Sequence, residues 1–389
     1  MASRLPSIWR DNIPPHKAHH LFCTTTKFIP IATHQTGLME FTLIQTPTDF
    51  DALASGWNAL LAESVTNVPF LRHEYLRAWW RTLGGGEWPR AEHSLSAEHS
   101  LSGELTIVAA TENGRLAGIA PLFLTDNLDG QPALMLLGSL EISDYLDLIA
   151  RPDDLPAFVG GLLDFLARSG PSTWRALDWY NLPETSPTLP LLRAEAGKRG
   201  WAFTQENFRP AISVPLPGDL EVYLASIDKK QRHEIRRKMR RIHEFGLSVR
   251  WYIVEDEATL DSEIDGFLAL MVNDPAKAAF LTEAMRAQMH ASARAAFRAG
   301  WLQLAFLTVN GEKAAGYLNF DYNNRIWVYN SGIDYKYLEL SPGWVLLGYL
   351  LEWANEHQRA EFDFMRGDED YKYKFGGLER FVVRVKLVR

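Results

Sequence analysis

The chain contains the same succession of short segments twice, and this internal repeat constrains its fold more than any other feature of the sequence. The segment that starts at Leu105 (LTIVAATENGRLAG) and the one that starts at Leu302 (LQLAFLTVNGEKAAG) each combine a strand-like run, a Thr-x-Asn-Gly turn and a returning strand. The turns begin at Thr111 and Thr308, 197 positions apart. Asn-Gly between hydrophobic runs is typical of a tight β-hairpin. Each copy is therefore expected to contain the same hairpin.

Weaker matches continue in the same order after the two hairpins, and together they predict two copies of one α/β unit. The matching segments are SDY at 143–145 with IDY at 333–335, the helical pattern of 158–170 with that of 344–357, and ALDW at 176–179 with EFDF at 361–364.

The second copy has a helix start that suits a phosphate group. Its hairpin is followed by a turn at Asn323-Asn324, a third strand, and then Ser341-Pro342-Gly343 in front of a helical pattern. Ser and Pro suit the cap and first turn of a helix, and Gly343 lets a ligand approach the free N–H groups at the positive end of the helix dipole. An ordinary capped helix is the alternative interpretation.

The two copies differ at this point. The first copy has Leu155-Pro156-Ala157 where the second has Ser341-Pro342-Gly343, so it lacks the glycine that permits close approach to the backbone. We therefore expect the second half to hold a donor phosphate and the first half to shape the acceptor side.

A strongly basic helix is predicted between the copies. Lys229–Arg241 contains eight Lys or Arg and one acid, so it carries +7 while the rest of the chain carries −15. Ile235, Met239 and Ile242 form one apolar stripe on it. Two interpretations stay open, a solvated helix docked by that stripe and a helix that binds the phosphates of coenzyme A or tRNA. The acidic remainder of the chain argues against general nucleic-acid binding, and DNA is not expected as a partner.

Composition places the chain among ordinary globular proteins. Its 389 residues are 47% hydrophobic and 23% charged, and no apolar run approaches the length of a membrane span. One cysteine, Cys23, excludes an internal disulfide, and no Cys and His residues share metal-ligand spacing. We expect a cytoplasmic protein without a metal. Residues 1–38 are predicted to be a disordered extension, and the AEHSLS duplication at 91–102, with His93 and His99, a surface loop.

The second half resembles a known family at two motifs. SPG at 341–343 and GDExYK at 367–372 are similar to those of GNAT-fold acetyltransferases of the CelD-like group, which is linked to cellulose and exopolysaccharide synthesis and related to FemAB-like peptidyl transferases. The resemblance extends from Met39, with Phe375 near the place where members often carry tryptophan. It implies an α/β fold of tandem GNAT-like units, with mixed, largely antiparallel sheets flanked by helices. The implied halves are 39–215 on the acceptor side and 216–389 on the donor side.

The resemblance also implies N-acyl transfer. The donor would be acetyl-CoA or another acyl-CoA, and no metal would take part. The acceptor would be an amine on a small molecule or an envelope precursor, and the resemblance links the reaction to exopolysaccharide or cell-envelope synthesis. Transfer needs a base for the amine and donors for the oxyanion. The candidate residues are Asp368, Glu369 and Tyr371 for catalysis, Ser341, Gly343, Trp344, Lys372, Arg232 and Arg236 for the cofactor, and Asp144 and Tyr145 for the acceptor.

Two other functions stay open at this point. The donor could be an aminoacyl-tRNA, as in FemAB-like enzymes, with the basic helix on the RNA phosphates; tRNA is the less favoured partner. Alternatively, the protein could be a non-catalytic assembly partner that keeps the fold without turnover.

Overall fold

The computed structural model describes residues 39–84 and 103–389. The extension predicted for 1–38 and the loop predicted for 91–102, with His93 and His99, lie outside these residues. Within them the fold is α/β, with mixed and largely antiparallel sheets flanked by helices, as predicted. None of the helices described is long and apolar enough to cross a membrane.

The strands and helices alternate in blocks along the chain. The strands are β1 Glu40–Ile44, β2 Glu104–Leu105, β3 Ile107–Glu112, β4 Arg115–Ala120, β5 Leu122–Asp126, β6 Pro132–Leu136, β7 Ile149–Ala150, β8 Ala176–Pro183, β9 Ala202–Pro215, β10 Val249–Ile253, β11 Leu302–Val309, β12 Glu312–Tyr322, β13 Arg325–Ile333, β14 Glu361–Arg366 and β15 Leu378–Val388. The helices are α1 Pro47–Ala52, α2 Ala54–Ala62, α3 His73–Leu83, α4 Leu155–Ser169, α5 Thr188–Lys198, α6 Leu220–Ser226, α7 Lys229–Arg241, α8 Leu260–Met271, α9 Pro275–Phe280, α10 Glu283–Arg298, α11 Pro342–Glu356 and α12 Asp370–Lys374, with 3-10 turns at Pro69–Leu71 and Tyr335–Leu340.

The described strands form two sheets. The smaller has the order β1-β3-β4-β7, and the larger has the order β10-β11-β12-β13-β14-β9-β15-β8-β6-β5-β2. Neighbouring strands run antiparallel except in the pairs β6–β8 and β13–β14. Each parallel pair is joined through a 15-residue helix, α4 or α11, because parallel strands need a crossover connection.

The two hairpins of the repeat have the same geometry, which confirms that part of the prediction. Asn113 and Gly114 both have positive φ, as do Asn310 and Gly311, and this is the requirement of a type I′ turn. Each hairpin also contains a bulge at the same place, directly before Thr111 in the first copy and directly before Thr308 in the second. The repeat is therefore structural as well as sequential.

One predicted correspondence, SDY with IDY, is wrong. Residues 143–145 lie before β7, whereas residues 333–335 close β13 and begin the 3-10 turn after it. β7 pairs with β4 through Ala150↔Gly118, and the end of β13 pairs with β12 through Ile333↔Ala315. β7 is thus the counterpart of the end of β13, and SDY belongs to a segment inserted in the first copy only.

The final strands of the two copies are exchanged. β9, which ends the first copy, pairs with β14 on one side and β15 on the other, and β15 also pairs with β8. β9 is 14 residues long, includes Pro210 and lies inside the large sheet. Each half therefore completes the sheet of the other.

Local signals fix most of the helix ends. Gly84 ends α3 in a left-handed conformation, and the aromatic residues Tyr75 and Trp79 on that helix are buried. α9 and α10 are separate helices, because the hydroxyl of Thr282 caps α10 by accepting from the N–H of Met285. α1 and α2 are likewise separate helices, with Leu53 between them.

Candidate functional site

A cleft opens where β13 and β14 separate. The two strands pair over three residues, the last pair being Trp327↔Asp363, and beyond it both continue without pairing to each other. β13 contains a bulge there, because Leu318 faces Asn330 while the next residue, Asn319, faces Val328, which leaves Tyr329 as an extra residue. Such bulges redirect backbone groups and are frequent beside active sites.

A cavity of about 240 Å³ occupies this separation, and we call it the cleft cavity. β13 contributes Tyr329 and Ser331, β14 contributes Phe364 and Arg366, and charged groups come from other segments of the chain. The charged residues in its wall are Glu141, Asp144, Lys277, Arg366, Glu369 and Lys372. Acidic and basic groups are therefore balanced at the point where the strands separate.

A second cavity, of about 250 Å³, continues from the first along β13 to the start of α11, and we call it the helix cavity. The two cavities share Lys277, Ser331 and Tyr371 in their walls. Gly343 and Trp344, predicted to contact the cofactor, both line the helix cavity. Together the cavities form one path from the separated strands to a helix N-terminus.

The start of α11 has the geometry of an unblocked helix end. Ser341 is left-handed and its side chain does not cap the helix; its carbonyl accepts from the N–H groups of Trp344 and Val345. A side chain at Gly343 would place its Cβ 3.1 Å from Cγ2 of Ile333 on β13. Glycine therefore keeps the space between the helix start and the strand open, as the sequence predicted.

The basic helix α7 is docked on α11 beside this position. Ile235 and Ile242 are buried, and Met239 lies directly over Gly348 of α11, so the predicted apolar stripe is the docking face. The ammonium of Lys238 lies 3.9 Å from the centre of the Trp344 ring, and burial lowers the pKa of Lys238. No sequence pattern distinguishes Lys238 from the other cations of α7.

The two arginines predicted to bind the cofactor have other partners. Arg232 donates to the carbonyl oxygens of Leu224 and Ala225, at 3.4 and 3.2 Å, and thereby caps the end of α6. Arg236 of α7 forms an ion pair with Glu221 of α6. Both residues tie α7 to α6, which is a role in the packing of these helices.

The segment between β14 and α12 brings three of the four predicted residues into the cleft cavity. Glu369, Tyr371 and Lys372 line it, whereas Asp368 is exposed outside it. Burial raises the pKa of Tyr371 well above its ordinary value, and its hydroxyl has no hydrogen-bond partner within the described residues. A phenol that stays protonated in a cavity is suited to donate a hydrogen bond.

Lys372 is buried and its ammonium is occupied. It donates to the carbonyl oxygens of Met365, Arg366 and Gly367, the second at 2.6 Å, and pairs with Glu369 at 2.8 Å. Lys372 thus holds the segment after β14 through its hydrogen bonds to that backbone. The sequence had predicted that this ammonium group would contact a phosphate of the cofactor.

The acceptor-side candidates Asp144 and Tyr145 lie in the inserted segment 137–148 and reach across to β14. Asp144 is buried and forms an ion pair with Arg366, whose N–H groups also donate to the carbonyl oxygens of Leu140 and Glu141. The hydroxyl of Tyr145 donates to Oδ1 of Asp363 at 2.9 Å. Arg366 and Asp363 were not selected from the sequence, although EFDF at 361–364 was matched to ALDW at 176–179 in the repeat.

The first copy has no open cleft at the equivalent position. β6 and β8 also separate after two paired residues, but the inserted segment fills the gap. Asn181 of β8 donates to the carbonyl oxygens of Leu140 and Ser143, at 2.8 and 2.9 Å, and accepts from the N–H of Leu146. The first copy therefore lacks both the glycine at the helix start and the open cleft that the second copy has.

Lys277 lies in the walls of both cavities, although the sequence did not mark it as a candidate site residue. It comes from the short helix α9, lines both cavities and donates to the carbonyl oxygen of Ser331 on the unpaired edge of β13. Burial lowers its pKa. No local pattern marks this lysine, because only the folding of α9 over the cleft brings it there.

The comparisons with known proteins agree with this geometry. Residues 229–373 match the family described as an acetyltransferase (GNAT) domain. The structure is similar to the crystal structure of FemX, with a TM-score of 0.60 and 11% identity over 89% of this chain and 96% of that chain. It is also similar to a conserved protein of unknown function from Bacteroides thetaiotaomicron, with a TM-score of 0.53 and 14% identity over 90% of this chain and 100% of that chain. None of the curated proteins matches in sequence.

The fold is therefore GNAT-like, with two units in tandem, as predicted. The residues that match the acetyltransferase domain, 229–373, belong to the half of the chain that contains the open cleft. This match supports the interpretation of the protein as an acyltransferase. Among the residues that the structure describes, no three His, Cys, Asp or Glu side chains are grouped so that they could hold a metal ion.

Proposed function

We propose that the protein transfers an acyl group, in the first instance acetyl, from coenzyme A to an amine. One observation carries the proposal: the cleft between β13 and β14 continues as a cavity to the open N-terminus of α11. A thioester in the cleft could pair its amides with the unpaired edge of β13, while its phosphates reach the helix start. Lys238 on α7 adds a positive charge beside that start.

The groups around the cleft suit the steps of acyl transfer. The extra residue of the β13 bulge, Tyr329, lies where the strands separate, so backbone N–H groups there are candidates to stabilise the oxyanion. Tyr371 keeps its proton and would hydrogen-bond the departing thiolate, with full proton transfer from the phenol disfavoured by its raised pKa. Glu369 is engaged with Lys372 and supports the segment that carries Tyr371.

An aminoacyl-tRNA donor is the second candidate, and the structural similarity to FemX over 89% of the chain is the observation that favours it. The cations of α7 argue less for tRNA than the sequence suggested, because Arg232 and Arg236 are tied to α6. The proposed link to exopolysaccharide or cell-envelope synthesis, and a CelD-like subgroup, rest on the sequence resemblance.

Thermal unfolding in the presence of each donor tests the proposal. Acetyl-CoA at 100 times its dissociation constant should stabilise the protein by about 2.7 kcal/mol, and aminoacyl-tRNA at the same concentration should give a smaller shift because it binds more weakly. A shift with aminoacyl-tRNA alone would favour the second candidate. A protein that responds to neither donor would contradict acyl transfer and favour a non-catalytic assembly role.

Gly343→Val tests the position of the donor. The valine side chain would fill the space between the start of α11 and Ile333, so acetyl-CoA affinity should fall by about tenfold or more, which corresponds to about 1.4 kcal/mol. Ala157→Val is the matched control, because Ala157 is exposed in the first turn of α4 in the other copy. Titration calorimetry with acetyl-CoA measures both; equal losses would exclude the donor site at α11.

A further inference from the structure

A third cavity lies beside the point where β13 and β14 separate, and it is lined mainly by polar groups. It measures about 320 Å³, and we call it the loop cavity because the loops at 64–68 and 183–187 form much of its wall. Tyr145, Trp327 and Asp363 line it, whereas their chain neighbours Asp144, Val328 and Phe364 line the cleft cavity. The Tyr145–Asp363 pair thus lies between the two cavities.

We propose that the loop cavity is the acceptor site, that Asp363 takes the proton from the acceptor amine, and that the acceptor is a small amine with an anionic group. The proposal rests on acyl transfer as proposed above and deepens it by naming the acceptor class and the base.

The hydrogen bonds around Asp363 leave one oxygen for this task. Oδ1 accepts from the Tyr145 hydroxyl at 2.9 Å and from the N–H of Met365 at 2.7 Å. No hydrogen bond to Oδ2 occurs within the described residues, so Oδ2 is the oxygen that can take up a proton. The side chain is 1% exposed, which removes the carboxylate from bulk water.

The charged neighbours of Asp363 do not form an ion pair with it. The titratable and charged groups that surround it are Asp144 and Tyr145 from the inserted segment, Arg325 from β13, Glu361 from β14, Arg380 from β15 and Glu184 from the loop after β8. Arg325 and Arg380 both pair with Glu361. Burial raises the pKa of Asp363 to about 7, a value suited to a general base near neutral pH.

The corresponding aspartate of the first copy explains why Asp363 has no cation. Asp178 faces Lys386 on β15, and two residues away on that strand Arg384 pairs with Asp178 at 2.8 Å. Asp363 faces Ser213 on β9, and two residues away in the same direction stands Ala211. The second copy therefore keeps the buried carboxyl and lacks the arginine that neutralises it in the first.

The arginines of the loop cavity point to an anionic group on the acceptor. Two guanidinium groups share the single carboxylate of Glu361, so N–H donors of Arg325 and Arg380 are left over in a half-exposed part of the wall. Guanidinium groups suit carboxylate and phosphate, which they bind through two parallel hydrogen bonds. An acceptor with its amine at Asp363 and its anionic group at these arginines spans the cavity.

The reaction balances with these groups. The amine arrives as an ammonium ion and loses one proton to Oδ2 of Asp363. Its nitrogen then forms a C–N bond to the thioester carbon, and the C–S bond breaks with the electron pair on sulphur. The nitrogen loses its second proton to that thiolate, which leaves as the thiol, and Asp363 releases its proton to solvent.

The first experiment follows CoA release from acetyl-CoA with 4-aminobutyrate as acceptor across pH. The wild type should show a rising limb in kcat with an apparent pKa of about 7. Asp363→Asn, which keeps an oxygen for Tyr145 and Met365, should lose that limb and about 100-fold or more in kcat while binding acetyl-CoA unchanged. Tyr145→Phe should move the limb to higher pH, because it removes a hydrogen bond that favours the carboxylate.

The second experiment compares 4-aminobutyrate with butylamine, which lacks the carboxylate. The wild type should prefer 4-aminobutyrate by about tenfold or more in kcat/KM, and Arg325→Gln should reduce that preference. Arg209→Gln is the control, since Arg209 is an exposed arginine on β9 outside the cavity.

The outcomes separate the two proposals. If acetyl-CoA does not bind the wild type, acyl transfer from coenzyme A fails and the acceptor site fails with it. If acetyl-CoA binds but Asp363→Asn keeps the wild-type rate and pH limb, only the role of Asp363 is overturned. If the wild type binds acetyl-CoA and does not acetylate 4-aminobutyrate, or treats both amines alike, the acceptor class is overturned.

Discussion

At the scale of single residues, the two copies use one buried aspartate in opposite ways. Asp178 is neutralised by Arg384 and further bound by the amide of Asn127 at 2.9 Å, whereas Asp363 is held by one hydroxyl and one N–H. The aspartate at this position therefore forms a buried ion pair in the first copy, whereas in the second copy it lines a cavity. This difference gives two predictions about stability.

Arg384→Met should destabilise the protein by about 3 kcal/mol or more, because it leaves the carboxylate of Asp178 buried without its cation. Adding Asp178→Asn should restore much of that loss, since an amide needs no counter-charge. Urea unfolding of both variants measures the difference. A single variant as stable as the double variant would show that the pair is not the reason for the loss.

Asp363→Asn should stabilise the protein more at pH 8 than at pH 5. Between its ordinary pKa near 4 and its folded pKa of about 7, Asp363 binds a proton in the folded state only, so its contribution to stability falls as pH rises. Over the two units from pH 5 to 7 the loss amounts to about 3 kcal/mol at most. Urea unfolding at the two pH values gives the difference between variant and wild type, and the same difference at both would contradict the raised pKa.

At the scale of secondary-structure elements, α7 packs on α11 through its apolar stripe, and the cations on its other faces contact different groups. Lys238 and Arg237 are adjacent and both pair with Glu234, but Lys238 lies over Trp344 and Arg237 is exposed. This pair therefore separates a contribution to the donor site from the general charge of the helix.

Lys238→Gln should weaken acetyl-CoA binding and reduce its dependence on salt, because it removes a positive charge that lies against Trp344 in the first turn of α11. Arg237→Gln, the matched control, removes the same charge from the solvent side and should leave binding within about twofold. Affinity measured at low and moderate salt for both variants checks this. Equal effects would show that α7 acts only through its overall charge.

At the scale of the whole molecule, the exchange of β9 and β15 makes the two halves depend on each other. β9 lies between β14 and β15, so neither half can complete the large sheet alone. A half without its exchanged partner would expose unpaired strand edges and the apolar residues beneath them.

We therefore expect residues 39–216 and 217–389, expressed separately, to be largely insoluble or unfolded, and co-expression to restore a folded complex. The intact chain should unfold in one transition, since the sheet is shared. Circular dichroism and solubility of the separate halves check this expectation. A half that folds alone and unfolds cooperatively would contradict it.

The sequence by itself determined the features that depend on neighbouring residues. The Asn-Gly turns at 113–114 and 310–311, the docking stripe of α7 and the glycine at the start of α11 each follow from local geometry, and each was placed correctly. The order of these features also predicted the tandem α/β fold, because a repeated succession of elements leaves few alternatives.

Only the tertiary structure decided which residues meet. The filling of the first cleft by 137–148, the approach of Lys277 to β13 and the different surroundings of Asp178 and Asp363 all join segments that lie far apart in the chain. Burial and long-range pairing set the charge and hydrogen bonding of such groups, and no local pattern encodes them. The sequence therefore specified the two similar units, whereas the inserted segment 137–148 closed one cleft and left the other open. The strand beside each aspartate decided which buried carboxyl has a cation.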